Sequence, residues 1–256
     1  MKDTIVYIFY TAERTLELCK YSFQQLGFEN IIVIDGQDSF KDKYVRAARN
    51  AVDTTQEYFI RTDADRVVFD GLLTLLSSCS TSAPMWKEGQ YYDYFMNRYR
   101  GGTPHIIPRK AMDILANDPS LMPNSNKPES NFSNFLKTNK LVDFEHSKIL
   151  TNLHDFEQYP SKVCNTFINR LSRNHLHLYN QSHLESLPIY YKVAIQQAYL
   201  HFKENGKKSS MDFIDFSQLD EGFEKMSEEQ IELTYDNLKN IYLSLCQKQI
   251  TIQDYR

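Results

Sequence analysis

Cysteine is scarce in this chain of 256 residues, and its four copies (Cys19, Cys79, Cys164, Cys246) lie far apart with no CxxC pairing. That spacing excludes a disulfide frame and a cysteine-rich zinc site, and it predicts reduced thiols. Long apolar runs are missing as well: nothing approaches the roughly 18 apolar residues that span a membrane. Asp3 and Glu13 interrupt the only early apolar run, so no basic-then-apolar leader pattern is present. The expectation is a cytoplasmic protein with no membrane span, which would meet a lipid acceptor only from the surface. Positive net charge is also lacking. The formal balance is −4, so no global field draws the chain to nucleic acid or anionic membranes.

Aromatic residues, by contrast, are abundant, with 17 Tyr and 16 Phe. Such a surplus suits a ring-lined groove and equally a thick core. The 41% hydrophobic and 24% charged shares are those of an ordinary globular protein. The length allows one large domain, or a core domain with an appendage.

The first third alternates strand and helix signals. Residues 5–10 (IVYIFY) read as a strand covered on both faces, and residues 31–34 and 58–60 as two more. Between them run two helices. The first is capped by Thr11, buries Leu16, Cys19, Phe23 and Leu26, and stops at Gly27; the second spans about 40–52. Asp70 is expected to cap a third. This β-α-β-α-β order implies a mostly parallel α/β sheet flanked by helices, with ligands at the carboxyl ends of its strands. Thr11, Asp35 and the pair Asp63/Asp65 each follow such an end.

Residues 80–160 carry weaker periodicity and more Pro, Asn, Gly and Ser. They read as loops and short strands built over the site. Residues 161–256 turn helical: one face of Val163, Phe167, Ile168 and Leu171, a helix from Pro188 to Gly206, and a last helix opened by a Ser227/Gln230 capping box. The division is therefore a catalytic domain over 1–160 and a helical region over 161–256 that packs on the core or forms a homodimer surface. Lys203–Ser210 is the linker candidate.

An Asp-x-Asp just past a buried strand can hold Mg²⁺ or Mn²⁺ with few protein ligands, leaving positions for phosphate oxygens and water. The metal then offsets charge on a departing diphosphate. The plainer alternative is a surface turn whose aspartates cap nearby backbone.

The stretches Arg46-Ala47-Ala48-Arg49-Asn50-Ala51, Glu57-Tyr58-Phe59-Ile60 and Thr62-Asp63-Ala64-Asp65 resemble, in order and spacing, the family-2 glycosyltransferases of the GT-A (Rossmann-like) fold. The resemblance covers about residues 4–72. It implies a metal-dependent, nucleotide-sugar-dependent transferase acting with inversion, with a UDP-sugar as the expected donor and a carbohydrate or other hydroxyl as acceptor. It places Asp35 at the base or ribose, Thr11, Arg14 and Arg49 along the nucleotide, Asp63 at the ribose or donor sugar and also at the metal, and Asp65 at the metal. The second strand departs from the family pattern, ending Ile34-Asp35-Gly36-Gln37 in place of two acidic residues plus Gly-Ser.

The family order of glycine loop, acidic residue and late histidine further implies Gly101 and Gly102 against sugar or phosphate, Glu129 as general base, and His154 as a Mn²⁺ ligand with Asp155 or Glu157 behind it. Ser130 stands where the family carries Asp. The alternatives are a helix N-terminal charge for Glu129 and a solvated loop histidine for His154. His175, His177, His183 and His201 have no spacing with a stronger claim. Residues 86–105, followed by Arg109 and Lys110, interleave rings with Arg98 and Arg100. That suits an acceptor groove, a single-stranded nucleic acid, or a packed aromatic loop. Two further functions stay open: a sugar nucleotidyltransferase, disfavoured because the loop Thr11-Ala12-Glu13-Arg14 has no glycine, and a non-catalytic binder of glycan or nucleic acid. Glycosylation of modified DNA bases is a minority variant.

Overall fold

The computed structural model describes residues 4–36, 38–80, 83–123, 125, 128–156, 158–172, 181–205 and 214–253. Gln37, Glu157, His175, His177 and the 206–210 part of the linker candidate lie outside the described residues.

The first third folds as its periodicity dictates. Strand β1 (Ile5–Phe9) is buried along its whole length and lies between β2 (Asn30–Ile34) and β3 (Tyr58–Asp63), parallel to both. Helix α1 (Leu16–Gln25) and helix α2 (Phe40–Val52) make the crossovers. The Ser39 hydroxyl caps α2 by accepting from the Asp42 amide at 3.2 Å. Thr11 is not the cap of α1, because the helix opens later: Thr15 holds the cap position and its hydroxyl donates instead to the Ala64 carbonyl at 2.8 Å. Asp70 does stand at the cap position of α3 (Gly71–Ser77), yet its side chain makes no capping bond.

Strand β4 (Arg66–Val68) follows β3 after a two-residue turn and was not legible in the chain's pattern. Residues 80–160, expected as loops and short strands, are more regular than that. They supply the long strands β5 (Met85–Asp93), β6 (Arg98–Pro108) and β7 (Asp143–His154), with α4 (Arg109–Asn117) and α5 (Pro128–Thr138) between β6 and β7. Tertiary pairing overrode weak local signals here. The sheet has seven strands in the order β2-β1-β3-β6-β5-β7-β4. Strands β1, β2, β3, β5 and β7 run one way, and β4 and β6 run against them. The chain is thus mixed α/β with a mostly parallel sheet flanked by helices.

One face of the sheet buries Tyr44, Ala48, Trp86, Met112 and Phe132 beneath α2, α4 and α5. The other buries Val6, Ile8, Phe23, Ile60 and Leu72 beneath α1 and α3. Gly71 is required at the start of α3, since a Cβ there would stand 1.9 Å from the Leu150 carbonyl oxygen.

From residue 160 on, the described residues form the helices α6 (Pro160–Ser172), α7 (Gln181–Ser186), α8 (Ile189–Asn205) and α9 (Glu228–Gln253). Helices α6 and α8 share a core with Phe95, while α9 lays Ile231, Tyr235, Leu238 and Tyr242 on Val67, Phe69, Leu150 and Leu153. The capping box forms in both directions: the Gln230 amide donates to the Ser227 hydroxyl and the Ser227 amide donates to Gln230 Oε1. No helix among the described residues is long and apolar enough to cross a membrane.

Candidate functional site

Strand β3 ends in Arg61-Thr62-Asp63, and the turn to β4 carries Asp65. Two pockets meet at Asp63 and Phe40. The first, of about 180 Å³, is lined by Phe9, Thr11, Glu13, Asp38, Phe40, Lys43, Asp63 and Asp65. The second, of about 320 Å³, is lined among others by Arg61, Asp63, Arg66, Glu88, Tyr91, Gly101, Gly102, His105 and Glu129. Expected residues from two strand ends, Thr11 after β1 and Asp63 and Asp65 after β3, thus converge, and those from the β6 glycines and α5 join them across Asp63.

The Asp63 carboxylate is engaged by neighbouring side chains. Its Oδ1 accepts from Arg61 Nη2 at 2.5 Å and its Oδ2 from the Thr103 hydroxyl at 3.4 Å. The buried Arg61 guanidinium lies within 4.7 Å of the Phe9 ring centre and 4.6 Å of that of Phe40, which fixes its direction. The group with metal-ligand geometry is Asp65, His154 and Asp155, whose ligand atoms all lie within 4.8 Å of one another.

His154 ends β7 opposite Arg66 of β4. Its Nε2 lies 3.2 Å from Asp65 Oδ2, and its Nδ1 lies 3.3 Å from Asp93 Oδ2 and 3.3 Å from Asp155 Oδ2. Burial and the Arg66 charge press the imidazole toward its neutral form, but Asp155 and Asp65 outweigh them and hold it well above its ordinary value. Burial raises Asp155 to about 6. Asp65 is partly buried, which pushes its carboxyl up, yet His154, Arg66 and Arg61 hold it below the usual carboxylate range. Its Oδ1 is buried with no hydrogen-bond partner. That oxygen lies 3.4 Å from Arg66 Nε without a hydrogen bond, and with a second carboxylate and an imidazole beside it the group fits a divalent cation of borderline hardness such as Mn²⁺, and also Mg²⁺.

Glu129 sits in the first turn of α5, so the helix N-terminal position and the pocket position are both occupied by the same side chain. Its Oε1 accepts from the Tyr44 hydroxyl, lies 2.7 Å from His105 Nδ1 and stands 3.7 Å from Arg61 Nη1. Burial pushes its carboxyl up to about 8. Gly102, at φ +149°, faces Tyr91, and a Cβ there would stand 3.1 Å from Tyr91 Cε1.

Three expected nucleotide contacts line neither pocket. Asp35 is exposed at the end of β2 and lies 3.9 Å from Arg46. Arg49 is exposed on the last turn of α2. Arg14 donates to the Glu224 carbonyl at 3.1 Å and lies over Phe223. The aromatic stretch 86–105 is the β5–β6 pair rather than a loop, with Trp86 wholly buried and Tyr91 and His105 lining the second pocket. Arg109 donates to the Ala51 and Thr54 carbonyls, away from the site. His183 and His201 are on α7 and α8.

Sequence reasoning missed Glu88, His105, Arg66 and Asp93. Their common signal is strand pairing: Arg61, His105, Glu88 and His146 are register partners across β3, β6, β5 and β7, and directly paired residues share a face. No protein-family model matches the chain, and no curated protein gives a significant match to it.

Proposed function

We propose that the chain is a metal-dependent glycosyltransferase of GT-A type, moving a sugar from a nucleotide-sugar to an acceptor hydroxyl. The observation that carries the reading is the shared wall at Asp63. On one side lies an acid-rich pocket that ends at Asp65 and hence at the Asp65/His154/Asp155 group. On the other lies a polar pocket with a partly buried carboxyl, Glu129.

The first pocket sets four carboxylates (Glu13, Asp38, Asp63, Asp65) against Lys43. A diphosphate enters such a place only with cations to offset the repulsion. Asp65, His154 and Asp155 are the residues that would hold one, and a bound divalent ion supplies Lewis-acid relief of charge on the departing diphosphate. Lys43, whose ammonium donates to the Tyr10 carbonyl at 2.5 Å, adds a fixed positive charge at the same pocket. The donor sugar would then lie past Asp63, in the second pocket. There the Arg61–Asp63 pair presents oriented polar groups, Gly101 and Gly102 keep the wall open, and Glu129 takes the proton of the attacking hydroxyl. In that pocket Arg61 and Arg66 face Asp63, Glu88 and Glu129, a near balance that suits an uncharged, hydroxyl-rich ligand.

The test is a melting-temperature and donor-hydrolysis panel of UDP-, GDP- and CMP-sugars with and without Mn²⁺. One donor class is expected to stabilise the chain only when the metal is present. No stabilisation by any donor defeats the reading, and pyrophosphate release from a nucleoside triphosphate and a sugar phosphate would replace it with nucleotidyl transfer.

A further inference from the structure

A general base must be ionised before it acts, and Glu129 rests in surroundings that favour its protonated form. The sheet places a second carboxyl within reach of the same proton. In the register row across β3, β6, β5 and β7, His105 stands between two acids: Nδ1 is 2.7 Å from Glu129 Oε1, and Nε2 is 3.4 Å from Glu88 Oε1. Beyond Glu88, its Oε2 lies 3.0 Å from Nδ1 of His146, whose side chain is 67% exposed. We propose that Glu88 is a positioning residue for Glu129, exchanging one proton with it through the His105 imidazole. The proposal rests on the reading of Glu129 as the base.

A neutral imidazole donates at one nitrogen and accepts at the other. In one arrangement Glu129 is the acid and donates to Nδ1, while Nε2–H donates to the Glu88 carboxylate. In the other, Nδ1–H donates to the Glu129 carboxylate and Glu88 donates to Nε2. Passing between them moves one proton from Glu129 to Nδ1 and one from Nε2 to Glu88, so the count of protons is unchanged. Glu129 becomes the carboxylate as Glu88 becomes the acid. His146, at the exposed end, links Glu88 to solvent.

The surroundings support a neutral His105. Burial holds it well below its ordinary value, and the charges of Arg61, Arg66 and His146 act in the same direction. Burial raises Glu88 as well, with His146 opposing. The groups facing Glu129 are Tyr44 from α2, Arg61 from β3 and His105 from β6. Those facing Glu88 are His105 and His146. The Lys87–Glu145 ion pair, at 2.8 Å, belongs to the adjacent register row. Trp86 packs 5.5 Å from the His105 ring, restricting its rotation.

Nitrogen NMR of the histidine-labelled full chain reads the tautomer directly, and carboxyl-carbon NMR reads Glu129. In the wild type, both ring nitrogens of His105 are expected to show shifts averaged over two tautomers across about pH 5–8. Glu88→Gln removes the exchange partner, so that the tautomer switches only as Glu129 itself ionises, and moves the Glu129 midpoint by about one pH unit. A single tautomer in the wild type at every pH overturns the proposal, as does an unmoved Glu129 midpoint in Glu88→Gln. The wild-type measurement stands alone if that variant does not fold. Neither readout needs a donor: tautomer exchange in a chain that no donor stabilises removes the transferase reading only, and donor stabilisation with one fixed tautomer removes only the role of Glu88.

Discussion

Two buried histidines, on strands separated by β5, each sit among carboxyl groups and are held in opposite states. His154 faces Asp65, Asp93 and Asp155 and is kept charged; His105 faces Glu88 and Glu129 and is kept neutral. Burial acts the same way on both. The difference lies in charge count: three aspartates, two of them held ionised below their usual range, outweigh Arg66 at His154. At His105 the carboxyls are themselves raised by burial, and both Arg61 and Arg66 repel a proton. One fold thus holds, on one strand, a protonated imidazole among three aspartates and, on another, a neutral imidazole between two glutamates.

Asp65→Ala breaks the first cluster most completely. It removes the oxygen nearest His154 Nε2 and the partner of Arg66 Nε at 3.4 Å. The expected result is loss of any Mn²⁺-dependent rise in melting temperature, and a destabilisation of about 3 kcal/mol, near the low end for breaking a buried pair because Asp93 and Asp155 still hold the imidazole. Chemical denaturation with and without Mn²⁺ measures both. An undiminished metal response would place the cation elsewhere.

Glu129→Gln sharpens the second cluster. A carboxyl raised to about 8 from 4.5 binds more protons folded than unfolded between those values, so its contribution is present at low pH and declines as pH rises through that window. Stability of the wild type should therefore fall from pH 5 to pH 8 by about 2–3 kcal/mol through this group, after allowance for Arg61 and Tyr44, which favour the carboxylate. The Gln variant should lose that slope. Melting curves at successive pH values decide, and an unchanged slope would refute the raised carboxyl.

The asymmetry between the clusters also marks what the chain's pattern discloses. Asp63, Asp65 and the β1–β2–β3 sheet half are legible because continuous apolar runs and amphipathic helices carry their own periodicity, and because each acid follows a strand end directly. His154 and Glu129 were named through the family-like order. The sequence pattern ends the third strand at residue 60 and so misses the pairing of Asp63 with Arg61; with β3 running to Asp63, strand alternation sets both side chains on one face. Glu88 and His105 meet only through cross-strand register between segments whose alternation is blurred by polar residues on a buried face. Non-local pairing of this kind leaves no local trace.

Helix α9 offers a way to disturb one cluster without the other, since it packs on Leu150 and Leu153 of the strand that ends in His154. The Tyr242 hydroxyl donates to the Leu150 carbonyl at 3.2 Å and accepts from the Gly71 amide at 3.1 Å. Tyr242→Phe leaves that amide and carbonyl short of a partner in a buried place, at a cost of about 1–2 kcal/mol. The His154 nitrogen signals should broaden or shift, while those of His105, across β5, stay unchanged. Equal disturbance of both would mean that α9 supports the whole sheet.

The smallest effect is expected at the helix start. Ser227 satisfies the Gln230 amide at 3.3 Å, and Gln230 returns the bond to the Ser227 amide at 2.9 Å, both in exposed positions. Ser227→Ala removes the hydroxyl but leaves the Gln230 side chain free to keep its half of the box, so the loss should be about 1 kcal/mol or less. Because the first turn of α9 lies ahead of Ile231, its first buried residue, fraying there should spare the packing on β7. Amide exchange is then expected to quicken at residues 228–231 alone, with the His154 signals unmoved. Faster exchange reaching Leu150 or Leu153 would show that the cap and the Asp65/His154/Asp155 cluster are coupled through the helix.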